Sequence, residues 1–155
     1  MRAVVQRVSK AEVGTGSEIV ASIAGGLCVL LAVGPNDTEA VARHFAQRVA
    51  SLRIFPDGDG KMNLDARAVD AHILVVSQFT LYADVSRGHR PSFTGAAAPE
   101  LAVRLCDEFA AAVRSLGLPV STGQFGAHME VALTNDGPVT IVLSSGEPYW
   151  AADAG

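Results

Sequence analysis

The 155-residue chain carries 12 Lys and Arg against 16 Asp and Glu, a net charge of −4, which excludes a broad basic face for long nucleic acid such as DNA. Hydrophobic residues make up 49% of it, ordinary for a soluble globular protein and enough, at this length, for one domain whose core needs neither disulfides nor a structural metal. The longest nearly uncharged apolar stretch, Ile23 to Gly34, is too short for a membrane span, and Arg2, Arg7 and Lys10 interrupt the region where a signal peptide needs an apolar run, so a cytoplasmic protein with no membrane partner is expected.

In chain order, residues Ala3 to Val8 alternate around Arg and Gln, and "AEVGTGSEIVASI" sets a Gly-rich turn between two short extended pieces, which predicts a strand and a hairpin. "GLCVLLAVG" predicts a strand buried on both faces, ended by the turn chemistry of "GPND". From Thr38 the period changes: Val41, Phe45, Val49 and Leu52 share one helical face, with Thr38 or Asp37 placed to cap it. "FPDGDGKMN" is the strongest loop, and "AHILVVSQFTLYAD" after it is a long run rich in β-branched residues, the candidate central strand. A second helix is predicted with Pro99 in its first turn, Leu101, Leu105, Phe109 and Val113 as its stripe, and Gly117 as its C′ residue.

Near the end, "HMEVALTN" and "PVTIVLSS" predict a closing strand pair around "NDGPVT". Asp-Gly is a strong hairpin signal, yet Pro138 has no amide hydrogen to give a returning strand. Strands outnumber helices and separate them in the chain, which predicts an α+β fold: one domain with a curled, barrel-like, mostly antiparallel or mixed sheet and two main helices packed on it.

Several chemistries fail on pattern. The acidic loop lacks the EF-hand layout, because Lys61 stands where a third calcium ligand belongs and no closing glutamate follows. The four histidines form no HxxxH or HxH pair, and Cys28 and Cys106 belong to no metal spacing, so neither metal nor cofactor is expected. "GTG" at 14–16 and "GQFG" at 123–126 match neither a P-loop nor a dinucleotide fingerprint. Ser77, Thr80, Ser92, Thr94 and His89 lie close in sequence, but no GxSxG turn surrounds these serines; a hydrolase using Thr80 or Ser77 with His89 stays open as an alternative, because triads are defined by geometry. "SQFTLYADVSRGHRPSF", residues 77–93, gathers hydroxyls, two Phe rings and the guanidinium groups of Arg87 and Arg90 beside one strand end. That mixture suits a substrate with phosphate or ribose on one side and an acyl group on the other.

Together, "SQFTL" (77–81), "RGHRPSF" (87–93) and "NDGPVT" (135–140), with "LRIFPDGDGKMN" and the opening "MRAVVQRVSKAEV", closely resemble the D-aminoacyl-tRNA deacylase family, collinearly from Met1 to about Leu143. Asp65 replaces a frequent serine, His89 holds a variable position, and the tail after Ser144 is this chain's own.

The resemblance implies a deacylase domain over residues 1–145 with a C-terminal tail over 146–155, assembled as a homodimer that hydrolyses the ester between a D-amino acid and the terminal adenosine of tRNA without a metal. It implies that Ser77, Gln78, Phe79 and Thr80 of one subunit form the catalytic pocket. The partner's Gly137 and Pro138, joined by a cis peptide bond in that family, supply a filter against L-aminoacyl esters, with Met129 and Asn135 beside them. Arg87, Arg90, Lys61 and Arg7 are the expected contacts to the tRNA acceptor end. Backbone amides near Gln78 and Phe79 are the expected oxyanion donors, with Thr80 orienting water or shaping the pocket. A filter that works by excluding the L side chain passes glycine, so glycyl-tRNA is an expected substrate. A non-enzymatic dimer that binds tRNA ends is the further alternative.

Overall fold

The structure, a computed structural model, describes residues 1–147; the tail aromatics Tyr149 and Trp150 lie outside the described residues. The elements are β1 (Arg2–Thr15), β2 (Glu18–Ile23), β3 (Gly26–Ala32), α1 (Glu39–Ala50), β4 (Phe55–Pro56), β5 (Met62–Leu64), β6 (His72–Ser77), a 3₁₀ turn (Phe79–Tyr82), α2 (Pro99–Ser115), β7 (Val120–Thr122) and β8 (Glu130–Ser144). Each predicted helix forms at its predicted place. The Thr38 hydroxyl accepts from the Val41 amide as the N-cap of α1, Pro99 opens α2, and Gly117 takes the positive φ that a C′ residue needs.

The 14-residue β1 organises the sheet. Along one edge it pairs antiparallel with β3 through residues 2–8 and with β2 through residues 11–15, while its other edge carries β8 along nearly its whole length. Beyond β3 the sheet turns parallel, through β6 to β7. Parallel neighbours require crossovers, and the two helices are those crossovers, α1 between β3 and β6 and α2 between β6 and β7. β2 returns to touch β6 and β7, so the mixed sheet curls into a nearly closed barrel in a single domain.

Side chains of β3 and β6 alternate between two cores. Leu27, Val29, Leu31, Ile73 and Val75 join Phe45, Val49, Leu105, Phe109 and Val113 of the helices, whereas Cys28, Leu74 and Val76 face a smaller cluster with Val8, Ala11, Val13 and Ile23. Phe45 and Phe109, both fully buried, meet with ring centroids 6.4 Å apart and hold α1 against α2. Among the described residues, no helix is long and apolar enough to cross a membrane.

Two sequence expectations are corrected. The strand at "AHILVVSQFTLYAD" ends at Ser77. The Gln78 amide makes one last bond to Leu31 O (2.8 Å), but the Val33 carbonyl beyond is taken by Ala97 N (2.9 Å), so the chain finds no continuing ladder and closes on itself through Leu81 N to Gln78 O (3.2 Å). Likewise, "NDGPVT" is not a hairpin: both flanking segments belong to β8 and both pair with β1. Pairing with a neighbour that long satisfies more backbone than folding two short segments on each other. In the register Gln6 faces Thr140 and Val8 faces Asn135, so residues 136–139 bulge outward opposite Arg7 alone, and Pro138 sits where no ladder donor is required.

Candidate active site

The C-terminal ends of the parallel strands β3 and β6 open onto a cleft of about 390 Å³, the place where open parallel arrangements bind ligands. Ser77, Gln78 and Phe79 line one wall, Phe93 and the Ala96–Ala97 turn another, and Cys106 of α2 lies beneath. Among the described residues no charged side chain lines the cleft. Phe79 is 57% exposed at the rim and meets Phe93 edge-on at 5.1 Å, an apolar lip beside a polar turn.

Gln78 Nε2 donates to Thr80 Oγ1 at 2.6 Å, which orients both side chains. The Gln78 amide is not free for an oxyanion because Leu31 O holds it. The Phe79 amide opens the 3₁₀ turn and makes no backbone hydrogen bond among the described residues, as the first donor of a turn does not. Burial, and then the Asp107 charge, push the Cys106 thiol up to about 12, so it stays protonated at neutral pH and is no nucleophile.

His89 lies in an exposed loop with Arg87 and Arg90. That loop is pinned at its base by reciprocal backbone bonds between Asp84 and Ser92 (2.8 and 2.9 Å), and no hydrogen bond joins His89 to Ser77 or Thr80 among the described residues. Arg87 and Arg90 are exposed on the loop that leads into Phe93, and neither lines the cleft itself.

The Gly137–Pro138 peptide is cis, and both residues are exposed at the tip of the β8 bulge. Arg7, expected at a tRNA phosphate, is instead 8% exposed and spends its guanidinium inside the chain. Nε donates to Asp136 O at 3.1 Å and stands 3.3 Å from Asp136 Oδ2, while Nη1 donates to Ile54 O at 2.5 Å. It fills the space behind the bulge that the four outlooped residues leave. Gly137 has φ +126 and no room for a Cβ, which would lie 2.8 Å from Val139 Cγ2 and 3.1 Å from Arg7 Nη2.

Asn135 stands exposed at the foot of the bulge, but Met129 does not join it: Met129 packs on the second core, with its sulfur against Gly123. Lys61 is exposed in the β4–β5 turn, which Asp57 ties together by accepting from the Asp59 and Lys61 amides and the Asn63 side chain. Neither Gly137 nor Pro138 lines the cleft of its own chain. Sequence reasoning missed Phe125 and Gly126, which cover part of the cleft; the available signal was an aromatic between two glycines in "GQFG". Among the described residues no three His, Cys, Asp or Glu side chains gather where a metal ion would bind.

Against known proteins, the family model described as D-Tyr-tRNA(Tyr) deacylase matches residues 4–144. A curated D-aminoacyl-tRNA deacylase of Roseiflexus sp. strain RS-1 is 57% identical over 145 residues, covering 94% of each chain. One from Chloroflexus aurantiacus is 54% identical over 95% of this chain and 92% of its own. A solved structure titled c-Myc DNA Unwinding Element Binding Protein superposes with a TM-score of 0.88 at 39% identity, covering 95% of this chain and 100% of the other. With the family model matching residues 4–144 and relatives similar over nearly the full chain, the chain belongs to the D-Tyr-tRNA(Tyr) deacylase family, whose matched curated members are named D-aminoacyl-tRNA deacylases.

Proposed function

We propose that this chain is a D-aminoacyl-tRNA deacylase, a cytoplasmic hydrolase that cleaves the ester between a D-amino acid and the 3′-terminal adenosine of tRNA. The observation that carries the reading is the uncharged cleft with Ser77, Gln78 and Phe79 on its wall. A lining that, among the described residues, carries no charged acid or base on its wall suits an ester that is already activated and has a vicinal ribose hydroxyl beside its carbonyl. Orientation and oxyanion stabilisation then provide the acceleration. The Phe79 amide is the oxyanion donor of this scheme, and Thr80, held by Gln78, orients water or the ribose.

Selection of handedness is assigned to the Gly137–Pro138 bulge of a second copy. The cleft and the bulge lie apart within one chain, which supports a reading in which the bulge of one copy serves the cleft of another. β8, exposed over most of its length with Val131 and Val142 uncovered, offers the adjoining surface for a homodimer. The bulge carbonyls would hold the substrate amino group and occupy the space an L side chain needs. Arg87 and Arg90 meet acceptor-end phosphates. Lys61, on the hairpin that Arg7 ties to the bulge through Ile54, adds a charge from the other copy. A few local cations suit contact with one end of tRNA, and the net charge of −4 argues against a duplex as partner.

The direct test follows ester loss from matched D-, L- and glycyl-tRNA. D-aminoacyl and glycyl esters are expected to be cleaved and the L form spared; equal loss of the D and L forms would sink the reading, and complete resistance of glycyl-tRNA would sink exclusion as the filter. Thr80→Val and His89→Ala, each assayed on ribose and 2′-deoxy termini, separate substrate assistance from a side-chain nucleophile. Normal turnover of the deoxy ester would favour the nucleophile.

A further inference from the structure

Behind the 3₁₀ turn that carries Phe79 and Thr80 lies a set of contacts with no part in the chemistry described above. Arg2 of β1 donates through Nη1 to Leu81 O at 2.9 Å, and its guanidinium stacks 4.4 Å above the centre of the Tyr82 ring. The ring sits in a slot shaped by two glycines. A Cβ on Gly34 would fall 2.6 Å from Tyr82 Oη, and one on Gly95 would fall 3.7 Å from the ring. Asp37, which accepts from the Gly34 amide at 2.7 Å and from the Met1 ammonium at 2.6 Å, fixes the floor of that slot.

Seen from the turn, this arrangement is unusual in what it compensates. The Gln78 amide ends the β3–β6 ladder, and beyond it the turn is held by short local bonds, Leu81 N to Gln78 O and Ala83 N to Thr80 O at 3.0 Å. None of its residues is buried, so packing alone does not fix it. A flat, always-charged guanidinium that both stacks on the ring and bonds the carbonyl beside it holds the turn in orientation as well as in place.

We propose that Arg2 is a positioning residue for catalysis, acting through Tyr82 and Leu81 to set where the Phe79 amide and the Thr80 hydroxyl stand at the cleft. This rests on the assignment of that turn to ester hydrolysis. Misplacement of such groups by about 1 Å costs up to about 10²-fold in rate, whereas the cleft walls outside the turn, such as Ala96 and Ala97, keep their ground-state contacts.

The experiment compares wild type, Arg2→Met and Arg2→Lys in the full chain, by steady-state kinetics on D-aminoacyl-tRNA and by amide hydrogen exchange. Arg2→Met is expected to lower kcat about tenfold with KM within about twofold, and Arg2→Lys, which keeps the charge over the ring but lacks the flat fork, to restore it only in part. Exchange at the Leu81 and Ala83 amides is expected to speed up in Arg2→Met while that at Leu74 in β6 stays as in wild type. Unchanged exchange at Leu81 and Ala83 overturns the anchor, and faster exchange with unchanged kcat overturns its role in turnover. A loss of kcat that follows a general rise in exchange, Leu74 included, also overturns it, because that is a stability effect. If wild type itself spares the D ester, the functional reading fails, while the exchange comparison still decides the anchor.

Discussion

Thr80 and Gly137 carry opposite kinds of constraint. Thr80 accepts one hydrogen bond from Gln78, and among the described residues no base bonds it, so the role proposed for it is orientation. Thr80→Val is expected to lower kcat on D-aminoacyl-tRNA by about 10–100-fold without abolishing it, the range of one lost positioning contact; a rate equal to the uncatalysed one would instead mark Thr80 as the nucleophile. Gly137 is constrained by space and backbone together, with φ +126 and the Arg7 guanidinium behind it. Gly137→Ala is expected to cost about 1–3 kcal/mol of stability in chemical denaturation, because the methyl group meets the bulge's own atoms in a backbone region that L residues avoid. Ser77, Gln78, Phe79 and Thr80 were singled out by resemblance to the deacylase family, and what the structure adds is that the first three line one cleft. Arg7 was misread because nothing in "VVQRVSK" reveals that four residues of a distant strand loop out over it.

At the scale of elements, the helices were the most legible part, since a 3.6-residue period and a hydroxyl cap are local properties. Phe45 shows what that stripe is for: its ring is wholly buried against Phe109, and Phe45→Ala is expected to cost about 3–5 kcal/mol in equilibrium denaturation. Removing the α1 cap by Thr38→Ala is expected to cost only about 1 kcal/mol by the same measurement. The strands were harder, because alternation says that a segment is extended and says nothing about its neighbour. Thus β8 was legible as two strands and was assigned to pair with itself, whereas the long free edge of β1 captures both halves.

For the whole molecule, acid sensitivity follows from carboxylates placed at turns. Hydrogen bonds from the Lys61 amide, Arg67 and Ser86 hold the carboxyl groups of Asp57, Asp65 and Asp84 respectively below their ordinary 3.8. The folded chain therefore binds fewer protons than the unfolded chain at pH values just below 3.8. Their contribution is present above that pH and is lost as pH falls through the depressed values. Thermal melts are expected to show a falling midpoint below about pH 4, less steep in Asp57→Asn; a midpoint independent of pH in that range would contradict the assignment. Assembly belongs to the same scale. If the bulge of a second copy completes the cleft, as proposed, activity is expected to fall on dilution as the copies separate, checked by kinetics alongside sedimentation; activity independent of concentration would overturn that assignment.

By itself the sequence determined the α+β class, both helices and the doubly buried β3, because each follows from residue chemistry within a few positions. Only the tertiary structure decided that the strand stops at Ser77, that Arg7 faces inward, that Met129 belongs to the second core and that Gly137 and Pro138 crown a bulge on a continuous strand. Those outcomes depend on which backbone groups remain unpaired once distant strands have met, a competition between partners that no local pattern records.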